Sequence, residues 1–352
     1  MVFTVRNNSP LRVLISDVSE LGDAVLTMPL ACAIKDHDPN AFVAWVAEPA
    51  AATMLQGHDC IDQLVTVDEG WLKSPQAICH VRQQLRSLQC DVVIDPPSHT
   101  KSSLIGWLSG ARQRIGFDGP QARELALWLN RTKLPREREH VVDARLQLLT
   151  PLGVQDPMVR FEVPHDPSAD VFAREYVLSM ELADGFAMIH PGAAEGSQVW
   201  SMARFATVAR HLGEVHGLPT IVAWANGKEH HFAESIVAGS MGYAMMAPHT
   251  SLRELTALMR QAQLLISADH SPLHLAAAVG VPCVALYGAT ADRFAGPYGE
   301  QHVTLQAPWE GTASRARRPS TQQALRAITA EAVCEACDQV LQTAMPELCY
   351  AA

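Results

Sequence analysis

The run Asp269-His270-Ser271-Pro272-Leu273-His274 puts polar side chains between an apolar strand-like stretch, 263–268, and an apolar helix-like stretch, 275–280. Serine is favoured as a helix N-cap and proline as the first helical residue, so the helix is expected to open at Ser271 and Pro272. Such an opening turns backbone N–H groups and the positive end of the helix dipole toward the loop, which is a phosphate-binding geometry. His274, one turn in, can add a hydrogen bond to an anion, and Asp269 can order the loop or hold a sugar hydroxyl. For any one of these residues, capping or a satisfied core histidine is the plainer account. The set, gathered where a strand ends, argues for a ligand. A second anion loop is suggested by Ile189-His190-Pro191-Gly192, where glycine allows close backbone approach before a helix near Ser201. In the other half, Ser19-Glu20-Leu21-Gly22-Asp23 opens a helix with an acid in its first turn, a position the helix dipole favours.

The elements that must position these groups alternate along the chain. Strands are expected at 11–17, 41–48, 63–68 and 91–97, with helical segments between them. Residues 161–170 are rich in proline and aspartate and read as a linker. Beyond it the alternation restarts, with strands ending in the glycine turn at 192, at 219–227, at 263–269 and at 282–288. Short apolar strands spaced by helices imply parallel βαβ units. The expected fold class is therefore α/β, with two Rossmann-like doubly wound domains facing a central cleft. Ligands in such sheets bind outside the carboxyl ends of the strands, where both polar openings fall.

With 352 residues, almost half of them apolar, the chain is long enough for two globular domains. A net charge of −10 argues against a nucleic-acid partner. No apolar run reaches the ~18–20 residues that span a bilayer, and no signal peptide is evident, so a cytoplasmic protein is expected, free or peripheral at the inner membrane face. Cys334 and Cys337 form a lone C-x-x-C, yet the surrounding residues read as a helix with Val333, Cys337 and Val340 on one apolar stripe. Core packing accounts for them better than a metal or redox centre.

Several segments, in order, resemble the family 9 glycosyltransferases, the lipopolysaccharide heptosyltransferases. "LISDVSELGDAVLTMPLACAIKDHDPNAFVAWVAEP" resembles the family's opening, and "DPPSHTKSSLIGWLSGARQRIGF" its next conserved block. "IHPGA…W…RFATVARHL", "TSLRELTALMRQAQLLISADHSPLHLAAAVGVPCVALYGATADRFAGPYG" and "ITAEAV" are similar to the C-terminal half, so the resemblance spans roughly residues 11–340. It implies a GT-B fold with an N-terminal acceptor domain, 1–165, a nucleotide-sugar domain, 166–335, and a tail, 336–352, whose helix returns to the first domain. It further implies inverting transfer from ADP-heptose to a lipid-linked or core oligosaccharide, with no metal cofactor.

On that resemblance Asp23 is the general base, and Gly22 gives the acceptor room. Ser271, Pro272, Leu273 and His274 face the leaving diphosphate, Glu229 binds donor ribose hydroxyls, and Thr250 borders the nucleobase. Acceptor contacts are expected from Lys101, Arg112 and Arg114 in a stretch that also carries Arg131, Lys133, Arg136 and Arg138. Two departures stand out. Gln198 occupies the position of a family lysine that contacts the diphosphate, and Asp269-His270-Ser271 stands where the family has Asp, a small hydroxyl residue and Gly. A protonated His270 would restore part of the lost charge. These changes leave two alternatives: a transferase with another nucleotide-sugar donor, or a weakly catalytic nucleotide-sugar-binding or assembly protein. A dehydrogenase is disfavoured, because no G-x-G-x-x-G follows the first strand.

Overall fold

The computed structural model describes residues 10–119, 122–192, 199–288, 292–307 and 324–344. It forms two compact units, Met1–Pro164 and His165–Ala352. The first contains β1 (Arg12–Ser16), α1 (Leu21–His37), β2 (Phe42–Ala47), α2 (Pro49–Leu55), β3 (Gln63–Thr66), α3 (Pro75–Ser87), β4 (Val92–Asp95), α4 (Thr100–Ser109), β5 (Gln113–Phe117), α5 (Glu124–Leu129), β6 (Thr132–Leu134) and α6 (Val141–Gln147). All six strands pair in parallel in the order β3-β2-β1-β4-β5-β6. Val13, Leu14, Ile15 and Val92–Ile94 are fully buried, as strands covered by helices on both faces must be.

The second unit contains α7 (Pro167–Ser179), β7 (Ala187–His190), α8 (Met202–His216), β8 (Thr220–Val222), α9 (Gly227–Gly239), β9 (Ala244–Met246), α10 (Leu252–Met259), β10 (Leu264–Ala268), α11 (Ser271–Ala278), β11 (Cys283–Tyr287), α12 (Asp292–Ala295), β12 (Val303–Gln306) and α13 (Ala330–Ala344). Its parallel sheet runs β9-β8-β7-β10-β11-β12. Counted within each unit, both sheets have the doubly wound order 3-2-1-4-5-6, whose switch point lies between the first and fourth strands. In the first unit that crevice is flanked by β1 and β4, in the second by β7 and β10.

Four strands were not anticipated. β6 and β9 have only three residues each, too few to show a pattern. β5 carries an arginine and a glycine, and β12 is an edge strand with little apolar character. Within its own unit, α13 packs on α8 and on β10–β12. Val333, Cys337, Val340 and Leu341 enter that unit's core, since the apolar stripe is satisfied there. Cys334 and Cys337 are both buried, which pushes both thiols up toward the protonated form.

Candidate active site

In the first unit, buried acids at two strand ends build the loops. Asp17, after β1, accepts from Thr27 Oγ1 at 2.6 Å through Oδ2 and from the Ser19 amide and hydroxyl through Oδ1. These bonds bend residues 17–19 onto the start of α1. Asp95, ending β4, accepts from the Ser98 amide at 3.0 Å and Asn130 Nδ2 at 2.8 Å, and from the Ser103 hydroxyl. Burial pushes its carboxyl up to about 6, against the lowering effect of these donors.

Asp23 emerges in the first turn of α1 with its side chain 50% exposed. It is held from beneath by Arg145 of α6, which is only 6% exposed. Arg145 Nη2 donates to Asp23 Oδ1 and Nη1 to the Asp23 carbonyl, both at 2.6 Å. Two parallel donors from a planar guanidinium fix both the carboxylate and the backbone that carries it. Arg145 Nε is buried with no hydrogen-bond partner.

His99, the N-cap of α4, belongs to the same charge cluster. Partial burial pushes its pKa down, Arg123 and Arg145 push it further, and Asp23 and Asp17 oppose them. A cleft of about 400 Å³ opens here, lined by Val18, Ser19, Pro97, His99, Thr100, Lys101, Ser102 and Arg123. It lies at the carboxyl ends of β1 and β4, where doubly wound sheets bind ligands. Lys101 lines it and reaches Glu48 at 3.4 Å across an exposed gap, a weak pairing. Gly22 is buried at the helix start, and Arg112 is exposed. Arg114 is corrected: it is buried, with Nε on the Leu129 carbonyl at 2.7 Å and Nη1 on that of Ala111 at 2.6 Å. Its charge serves the backbone inside the unit, not an acceptor.

In the second unit α11 starts one residue earlier than expected. Its N-cap is His270, not Ser271, in extended conformation and without a side-chain cap bond. The His270 ring stacks on His190 at the end of β7, with centroids 5.6 Å apart and planes 17° from parallel. Gly192 is what admits this pair: a Cβ there would lie 2.9 Å from His190 Nδ1 and 3.4 Å from the His270 ring. Full burial pushes His190 down to about 4, with His270 adding to the shift and Glu229 opposing it. His190 is therefore a neutral imidazole at pH 7.

Glu229 is buried, and its Oε2 accepts from the Ala225 amide at 2.7 Å while standing 3.9 Å from His190 Nε2. The carboxylate thus ties the loop after β8 to the histidine pair. His274 is buried in the first turn of α11, with Nε2 3.7 Å from Asp269 Oδ1. The Nδ1 atoms of both His190 and His274 are buried and make no hydrogen bond. Asp269 donates its amide to the Leu286 carbonyl at 3.2 Å, so its backbone is part of the sheet edge. Thr250 is half-buried, between His249, which packs on Trp224, and the capping box of α10. Gln198 lies outside the described residues.

The structure thus gathers Asp23, Lys101 and the unanticipated Arg145, His99 and Arg123 in one unit. In the other it gathers Glu229, Asp269, His270 and His274 around His190, which the sequence placed at the second anion loop without a role for its ring. Arg145 left one trace in the sequence: it stands among Val142, Leu146 and Leu149 on a helical apolar stripe, where a charge needs a partner.

Two parallel sheets of one strand order, each with its polar groups at the switch point, define the GT-B class of glycosyltransferase fold. The glycosyltransferase family 9 (heptosyltransferase) model matches residues 78–325, and the chain belongs to that family. It is 25% identical to lipopolysaccharide heptosyltransferase 3 of Escherichia coli over 91% of this chain and 96% of that one. The fold is similar to that of a family 9 glycosyl transferase from Veillonella parvula, with a TM-score of 0.79 at 22% identity, covering 95% of this chain and 97% of the other. It is also similar to E. coli heptosyltransferase WaaC with ADP-2-deoxy-2-fluoro heptose, with a TM-score of 0.71 at 23% identity, covering 94% and 99%. Among the described residues no helix is long and apolar enough to cross a membrane.

Proposed function

We propose that this protein transfers heptose from ADP-heptose to a lipopolysaccharide-core acceptor with inversion at the anomeric carbon. The observation that carries the proposal is Asp23: a half-exposed carboxylate in the first turn of the helix after β1, aimed by a buried arginine. In the reaction Asp23 accepts the proton of the acceptor hydroxyl while that oxygen attacks the anomeric carbon. The bond from that carbon to the diphosphate breaks, and ADP leaves with the electron pair. The negative charge that develops is met by the start of α11 and by His274. The solved relative holding an ADP-heptose analogue supports the donor assignment.

The acceptor fits the first-unit cleft, where His99, Lys101 and Arg123 offer donors to a hydroxyl-rich, acidic glycan. A lipid-linked acceptor would be met at a membrane surface. Leu125 and Trp128, three residues apart on α5, are exposed, Trp128 by 85%, and α5 follows directly on Arg123 of the cleft. Arg131 and Lys133 are exposed nearby, so the face pairs apolar and basic side chains as bilayer-surface segments do. A different donor is the second reading, motivated by Gln198 and by the neutral His190 beside His270.

The test is calorimetric titration with ADP-heptose, ADP, UDP, GDP and UDP-N-acetylglucosamine, followed by transfer assays on a truncated core. Binding confined to the ADP ligands is expected. Preference for a uridine or guanosine ligand would replace the donor but keep the fold. Absence of binding to all five would remove the transferase reading.

A further inference from the structure

The C-terminal end of α8 carries a second cluster of chemistry-bearing side chains, which the transfer reaction does not use. α8 leaves the carboxyl end of β7 and delivers the chain to the amino end of β8, so His216 lies at the sheet edge opposite the ligand crevice. There α13 crosses α8. Its core stripe seats Cys337, and the next residue, Asp338, turns outward between His211 and His216. His211 Nε2 lies 2.8 Å, and His216 Nε2 2.6 Å, from the same atom, Asp338 Oδ1. The two rings stand 5.8 Å apart at 70°.

We propose that His211, His216 and Asp338 bind a divalent transition metal of the zinc class, pinning the last described helix to α8. Two imidazoles and a carboxylate are the donor set that selects zinc, cobalt or nickel over magnesium and calcium. The three ligand atoms lie within 4.8 Å of one another. A tetrahedral ion with bonds of about 2.0–2.2 Å sets its donors roughly 3.3 Å apart, so each imidazole needs to draw back from Asp338 Oδ1 by only about 0.5–0.7 Å. All three side chains are partly exposed, which gives a hydrated ion access and leaves its fourth position to water. On binding, each neutral imidazole presents its Nε2 lone pair to the ion and carries its proton on Nδ1.

The surroundings favour a cation. A cleft of about 350 Å³ beside the cluster is lined by Asp338, Glu214, Glu331 and Glu335, against one cation, Arg210. Arg210 is itself drawn to Glu214, 3.9 Å away, and to Met241. The net negative field raises the local concentration of divalent ions. Because the site joins residues more than 120 positions apart, the bound ion would act on the stability of this unit. The transfer chemistry, at the other edge of the sheet, is left alone.

The experiment uses the full chain without an affinity tag, stripped with EDTA and titrated with zinc chloride by calorimetry. One equivalent binding with micromolar affinity is expected, with no heat from magnesium chloride. At free zinc a hundredfold above Kd, the melting temperature should rise by about 5–10 °C. Cobalt substitution should give the visible absorption bands of a tetrahedral site. His216→Gln and Asp338→Asn should each weaken zinc binding at least tenfold, while melting in EDTA stays within a few degrees of the wild type. His231→Gln, in the exposed His230–His231–Glu234 group, should leave zinc binding unchanged. Absence of stoichiometric zinc binding would overturn the proposal. So would equal affinity in His216→Gln and Asp338→Asn, or loss of binding in His231→Gln instead.

Discussion

Replacing Arg145 by methionine isolates the role of aim in the proposed chemistry. The arginine makes two 2.6 Å bonds to Asp23, one to the carboxylate and one to its carbonyl. Deleting a partner of a buried ion pair usually costs about 3–5 kcal/mol, because a charge is left buried and alone. Here the stranded group is Asp23, half exposed, which water can solvate, so that penalty is largely avoided. Arg145 also carries a buried, unpartnered Nε, and such a donor costs roughly 1–3 kcal/mol that methionine does not incur. The two effects offset, and the net loss of stability should stay near 1 kcal/mol. Turnover has no such offset. A carboxylate free to rotate by about 1 Å loses near 10²-fold in rate, or about 2.7 kcal/mol of transition-state stabilisation. The assay is kcat for transfer to a truncated core, with donor Kd by calorimetry and melting temperature on the same preparations. Arg145→Met should lower kcat about a hundredfold with donor Kd and melting temperature nearly unchanged. Asp23→Asn should lower it more, by 10²–10⁴-fold, and the double variant should be no worse than Asp23→Asn alone, since the two act as a unit. A folded Arg145→Met enzyme with kcat within threefold of wild type would refute the reasoning. Full additivity in the double variant would do the same.

Three other outcomes are expected. Gly192→Ala forces a Cβ to within 2.9 Å of the buried His190 ring and should cost about 1–3 kcal/mol of stability by urea titration, together with weaker ADP binding; unchanged values would mean that the ring has room to move. His274→Ala should weaken ADP binding about tenfold or more by removing a buried donor at the start of α11, and calorimetry showing an unchanged Kd would take His274 out of the site. Burial holds His190 well below the ordinary imidazole value of about 6.5, so its contribution to stability is present above pH 6.5 and lost as pH falls toward 4. Urea titrations at pH 7 and pH 4.5 should show that loss, and a His190→Gln protein should show a flatter dependence; parallel profiles would contradict the assignment.

The central strands were readable because a strand covered on both faces must be apolar at every position, as Val92, Val93 and Ile94 are. β5 escaped because Arg114 looks like a surface residue, yet its guanidinium is spent on the Leu129 and Ala111 carbonyls. The same disguise placed Arg114 wrongly among acceptor contacts. The positions of Asp23, Lys101 and His274 beside strand ends were legible because each sits in a short, ordered motif. Arg145 was not, because its partner lies 122 residues away and only folding brings the two together. The stacking of His190 on His270 was not legible for a related reason: it depends on two strands, β7 and β10, becoming neighbours.

The repeated strand order has a consequence for how the chain acquires its structure. Each sheet is closed by its own helices over its own core, so each half contains the contacts it needs to collapse alone. Parallel pairing in each half still waits on helical crossovers, which makes each a slow folder by topology. The first half emerges from the ribosome while the second is unmade, and it can reach its native pairing before the second begins.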